Sequence, residues 1–122
     1  MDYSAEVRRR FAAALAATES RGDSEFRVVC GEAEDRSLAV WAKAVLGISN
    51  GRIAAAAFEV YGCPDTIAAA HLAAERLCGI EVSRISGIDT QALARELGIP
   101  REKLGKLLRL EDAAIAAAEQ AR

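Results

Sequence analysis

Hydrophobic and polar residues change rhythm along the chain, which divides it into a helical opening, a strand-like middle and a helical remainder. Val7, Phe11, Ala14 and Leu15 recur at helical spacing behind Ser4, which predicts a first helix capped by Ser4 and reaching about Ala17. The polar stretch TESRGDSE, Thr18 to Glu25, contains a glycine and reads as a loop. FRVVC is a short β-like run, GEAED reads as an acidic turn, and SLAVWAKAVLGI is a second β-like run. The SNG that follows is the strongest hairpin signal in the chain, because a type I′ turn needs positive φ at both central residues and Asn50-Gly51 supplies it. RIAAAAFEVY is then the returning strand. Its alanines are weak strand formers, so the assignment leans on the turn and on Phe58, Val60 and Tyr61.

From Cys63 onward the period is helical. Pro64 suits the first position of a helix, where a missing N–H costs nothing. That helix runs through Ile67, Ala68, Leu72 and Glu75 to Cys78, with Gly79 placed to end it. SRISG reads as a connector with a helical turn. Asp89 caps a short helix that ends near Leu97 and is followed by Gly98. Pro100 opens a last helix with Leu104, Leu107, Leu108 and Ile115 on one face. One helix, three strands and then several helices predict an α+β fold: a three-stranded antiparallel sheet with helices packed on one side. No internal repeat, linker or low-complexity tract interrupts the order, so residues 1–122 are expected to form a single domain.

Composition narrows the packing. Hydrophobic residues make up 52% of the chain but aromatics only 5%, and much of the apolar fraction is alanine. Such a chain packs its helices closely through small side chains. A net charge of -2 leaves no basic surface suited to nucleic acid, and Arg8-Arg9-Arg10 reads as a solvated helix face. No stretch of about 18 apolar residues is present, so no membrane partner is expected. Met1 leads into a charged segment without an apolar run, which argues against a secretory signal. Cys30, Cys63 and Cys78 are odd in number and lack a C-x-x-C spacing. They suit a reducing cytoplasm better than a disulfide framework.

Candidate chemistry centres on YGCP. With Pro64 opening the helix, Cys63 is its N-cap, where free N–H groups and the macrodipole favour a thiolate over a thiol. Cys63 is then a nucleophile or a ligand, or alternatively a small packed hydrophobe. Cys30 sits in a β-like run with Val28 and Val29, and Cys78, in the last helical turn, reads as a packing residue. His71 lies two turns beyond Cys63, too far along the helix to share a metal with it, and reads as a core or boundary residue. A tetrahedral metal site needs about four Cys, His or carboxylate ligands, and the single histidine and scattered cysteines form no such set. No Ser-His-Asp or Cys-His arrangement and no glycine-rich phosphate loop is visible, so nothing marks an enzyme.

The stretch AAAFEVYGCPDTIAAAHLAAERLCG resembles the central motif of the IscU/NifU-type iron–sulfur cluster scaffold proteins. DYSAEV is similar to the family's opening, and IPREKLGKLLRLEDAAIAAA to its final segment. The resemblance covers nearly the whole chain and implies the fold already read from periodicity. It further implies a scaffold with three ligand cysteines, an aspartate near the first and a histidine just before the third. The middle cysteine matches Cys63. The first falls on Ser37 and the aspartate on Ala39, within RSLA. In KLGK, Lys103 is retained, the histidine position is Gly105 and the third cysteine position is Lys106. The family's Leu-Pro-Pro-Val-Lys motif for an Hsp70-type chaperone appears as IPREK, with Pro100 and Lys103 retained.

The resemblance therefore implies a degenerate scaffold-like assembly protein that is not an enzyme. Cys63 would act as a sulfur acceptor supported by Lys103 and Lys106, or as a single ligand to iron or an iron–sulfur cluster. Cys30 is a further thiol that would have to bend toward Cys63 to replace Ser37. The implied partners are a cysteine desulfurase and, through Pro100 and Lys103, a chaperone. An alternative is a binding module that docks one of these proteins and carries no cluster.

Overall fold

The computed structural model describes residues 26–121 together with Arg9 and residues 11–13, with Ser86 and Gly87 described in their main chain alone. Its three strands are β1 (Arg27–Asp35), β2 (Val40–Ser49) and β3 (Arg52–Tyr61). They form an antiparallel sheet in the order β1-β2-β3. Three α-helices follow: α1 (Pro64–Leu77), α2 (Thr90–Leu97) and α3 (Leu104–Glu119). Short 3-10 segments at Val82–Gly87 and Arg101–Lys103 precede α2 and α3. This is the α+β arrangement expected from the hydrophobic pattern.

GEAED is strand rather than turn. Its residues alternate, with Glu32 and Glu34 exposed and Ala33 and Asp35 partly covered on the opposite face. Gly31 is a packing residue: a Cβ there would stand 2.1 Å from the Ala117 nitrogen and 2.5 Å from the Ala113 carbonyl oxygen of α3. The turn falls instead at Arg36–Ala39, so Ser37, Leu38 and Ala39, expected at the start of the second strand, lie outside it. Asp35 builds that turn by accepting hydrogen bonds from the Ser37 hydroxyl at 2.6 Å and the Leu38 N–H at 3.2 Å.

The hairpin signal is met by Asn50 and Gly51, with φ of 54° and 73°. β2 is the central strand, and all its residues but Trp41 are buried. The alanines of β3 are used for close approach, with Ala55, Ala56 and Ala57 all buried. α1 answers with Ala69, Ala70, Ala73 and Ala74. α1 lies along β3, α3 across β1 and β2, and α2 packs on both helices. The main core, which includes Leu46, Ile53, Leu77, Leu107 and Leu110, fills the space between sheet and helices. Leu108 is 41% exposed, so the inner face of α3 is Leu107, Leu110, Ala113, Ala114, Ala117 and Ala118 rather than the row expected from spacing. Pro100 heads the 3-10 turn, and α3 itself begins at Leu104.

The far face of the sheet holds a smaller cluster of Val45 and Ala57 with Phe11 and Cys30 against them. Phe11 meets Phe26 edge to face, with ring centroids 6.3 Å apart. Arg9 and residues 11–13 are helical, as the first helix requires. The remainder of that helix, the loop Thr18 to Glu25 and the DYSAEV segment lie outside the described residues. Among the described residues, no helix is long and apolar enough to cross a membrane.

Candidate functional site

The strand directions bring three stretches to one end of the sheet. β1 ends and β2 begins there, with Asp35 opposite Val40, and β3 ends there, with Tyr61 opposite Trp41. α3 starts at the same end. A Cβ on Gly105 would lie 3.1 Å from Leu38 Cδ1, and Arg109 reaches Asp35 at 3.9 Å. The other end of α3 is tied down by Arg27, which donates to the Gln120 and Ala121 carbonyls. The N-termini of α1 and α3 therefore share one end of the molecule, and both direct the positive ends of their macrodipoles toward it.

Cys63 occupies the N-cap of α1 with extended backbone, φ -78° and ψ 163°, and Pro64 follows in the first turn. Its carbonyl accepts the first helical bonds, from Thr66 at 3.0 Å and Ile67 at 3.2 Å. Its sulfur lies 3.4 Å from Thr66 Oγ1. That hydrogen bond is the main influence holding the thiol below its ordinary pKa. Partial burial opposes it, and the Thr66 and Asp65 N–H groups and the Lys106 ammonium reinforce it.

Lys103 Nζ sits 2.7 Å from Asp65 Oδ2, which joins the 3-10 turn to the first turn of α1. The same contact raises the Lys103 pKa, with the negative charge of Cys63 adding to the effect. α3 carries no acidic residue in its first turn, and its basic residues stand where the helix dipole disfavours them. Lys103 and Arg109 are engaged by carboxylates, Asp65 for the one and Asp35 and Asp112 for the other, so the positive influences on the Cys63 sulfur are the N-terminus of α1 and Lys106.

The remaining sequence candidates separate clearly. The Ser37 hydroxyl is held by Asp35, whose carboxyl that bond keeps below its usual range, with help from the Leu38 N–H and Arg109. Ala39 has φ of 53°, in the left-handed region. Pro100 is exposed at the head of its turn. Cys30 pairs with Val45 on the face of the sheet opposite α1, α2 and α3, so it does not turn toward Cys63. Cys78, expected to pack, and His71, expected at the core or its boundary, are both exposed. The Cys78 sulfur contacts the Ala74 carbonyl at 3.6 Å. The site residues that sequence reasoning passed over are Thr66 and Asp65. Their only signal is position, two and three places past the N-cap cysteine, where a side chain can fold back on the helix end.

Among the described residues, no group of three or more His, Cys, Asp or Glu is placed to hold a metal ion. A family model described as NifU-like N terminal domain matches residues 29–121. No curated protein matches the chain.

Proposed function

Because the chain belongs to the NifU-like N-terminal domain family, a family of scaffolds for iron–sulfur cluster assembly, we propose that Cys63 is its working residue and accepts sulfur as a persulfide. The donor is a cysteine desulfurase, the enzyme with which scaffolds of this family interact. The supporting observation is the Cys63 sulfur at the N-cap of α1, beside the Thr66 hydroxyl at 3.4 Å and under the influence of Lys106. The Cys63 thiolate attacks the outer sulfur of the donor persulfide. A Cys63 S–S bond forms, the donor S–S bond breaks, and the donor leaves as a thiolate. The transferred sulfane sulfur is the electrophile, and the Cys63 persulfide that forms ionises beside the N-terminus of α1 and Lys106.

The donor set suits this chemistry better than it suits a cluster as cargo. Ser37 offers a hydroxyl already engaged by Asp35, Ala39 and Gly105 offer no ligand, and Lys106 brings a cation to the third thiolate position. Iron would have Cys63 alone from the family's positions. The test is intact mass after anaerobic incubation with a cysteine desulfurase and cysteine, followed by site mapping. The expected product carries one extra sulfur on Cys63, and Cys63→Ser abolishes it. Exposed Cys78 is the internal control: sulfur spread over Cys30, Cys63 and Cys78 overturns the proposal, as does no gain while Cys63 remains alkylable.

A second function is favoured by the turn at Pro100. Pro100, Arg101 and Glu102 are exposed beside the Cys63 site, and the Lys103–Asp65 pair fixes that turn to α1. As a docking module for a desulfurase or an Hsp70-type chaperone, the chain would keep partner affinity in the Cys63→Ala variant and lose it on Pro100→Ala with Lys103→Ala.

A further inference from the structure

Thr66 is the one polar residue among the buried positions of α1, whose other members are Ala69, Ala70, Ala73, Ala74 and Leu77. It is 0% exposed. Valine has the same shape and would fill that place without a hydroxyl to satisfy. A buried hydroxyl is costly unless it is hydrogen-bonded, so its retention here calls for a partner. The Cys63 sulfur stands 3.4 Å from Thr66 Oγ1.

We propose that the Thr66 hydroxyl is the donor that holds the Cys63 sulfur as a thiolate and aims it for attack on an incoming sulfane sulfur. This deepens the sulfur-acceptor function and rests on it for the identity of the electrophile. The contact is differential. A neutral thiol is a weak acceptor, whereas a thiolate is a strong one, so ionisation strengthens the bond. After transfer the negative charge sits on the outer sulfur of the persulfide, and the bridging sulfur no longer holds the hydroxyl as tightly. The bond therefore favours the attacking state over the loaded one. Lys106 from α3 and Lys103 from the 3-10 turn, itself paired with the Asp65 carboxylate, are the charged groups that bear on this sulfur. Thr66 is the neutral one among these contacts, so its effect persists at high salt while theirs is screened.

The experiment compares Thr66→Val with Thr66→Ser. The readout is the ratio of Cys63 to Cys78 alkylation by iodoacetamide at neutral pH and 0.5 M salt, with the rate of persulfide formation measured alongside. Thr66→Val is expected to lower the ratio roughly tenfold, the scale of a lost hydrogen bond to a charged group, and Thr66→Ser to restore most of it. Thr66→Ala replaces the valine variant if that protein does not fold. An unchanged ratio in the hydroxyl-free variant overturns the proposal, as does an equal fall in the serine variant, which would make the role one of packing. The alkylation ratio tests the hydroxyl even if the wild type accepts no persulfide. In that case the sulfur-acceptor function fails and the Thr66 bond stands or falls on its own.

Discussion

The Lys103 ammonium sits 2.7 Å from the Asp65 carboxylate, and this pair decides how much positive charge is left to act on Cys63. Removing the carboxylate with Asp65→Asn frees Lys103 to bias the neighbouring sulfur. Cys63 alkylation at neutral pH is then expected to speed up about twofold, a modest gain because both partners are partly solvated. Stopped-flow alkylation checks this, and a slower rate would mean that Asp65 helps the thiolate by ordering the helix end.

Lys106 acts in the opposite sense. Lys106→Glu places an anion near the sulfur and should raise the thiol pKa, which slows persulfide formation at neutral pH by roughly fivefold and shifts the alkylation midpoint upward. In the wild type the folded Cys63 value lies below its unfolded value. The increment in stability is therefore present above the unfolded thiol value and is lost as the pH falls through the lowered folded one. Urea midpoints from about pH 6 to about pH 10 should show this increment in the wild type and lack it in Cys63→Ala.

Gly31→Ala tests the close packing of α3 on β1. Its new Cβ would meet main-chain atoms of Ala113 and Ala117 well inside contact distance. A helix cannot yield there as a flexible side chain would, so a loss of about 3 kcal/mol or more is expected in urea unfolding. Gly79→Ala meets open space but sits at a φ of 91°, and should cost only about 1–2 kcal/mol from backbone strain.

Ala39 should be improvable. With φ of 53° it pays for a left-handed backbone that glycine or asparagine adopts more readily. Ala39→Gly is expected to raise stability by about 0.5–1 kcal/mol, read as a higher urea midpoint. Aspartate also tolerates the conformation better than alanine does, so Ala39→Asp should fold.

Cys30→Ala is expected to leave the rate of persulfide formation on Cys63 within about twofold of wild type, because its side chain packs on the other face of the sheet. A large loss would show that the far face communicates with the site.

Sequence legibility follows the range of the signal. Asn50-Gly51, Pro64 and Gly98 were readable because each residue sets its own φ: the hairpin, the helix start and the left-handed C-cap at φ 66° all appear where they were expected. Asp89 was readable as a cap because its carboxylate accepts from Ala92 N, three residues on. Gly31 was misread because a glycine needed for a helix to approach looks the same in sequence as a glycine needed for a turn. Leu108 was misread because the α3 row is narrowed by alanines that pack on the sheet. The convergence of Cys63, Lys103 and Lys106 came from family likeness. Thr66 and Asp65 were missed because a residue in the first turn of a helix carries no periodic mark of what its side chain touches.

The distribution of the three thiols makes the molecule its own labelling kit. Cys78 faces water, Cys63 stands at the shared helix ends, and Cys30 lies under Phe11 on the back of the sheet. One alkylation time course, resolved peptide by peptide, thus yields three clocks from an unaltered chain. Cys78 times the reagent, Cys63 times the site, and Cys30 times how often the sheet's far face is uncovered. A partner that docks at the Pro100 turn should slow the second clock and leave the third running, whereas one that docks across the sheet should do the reverse.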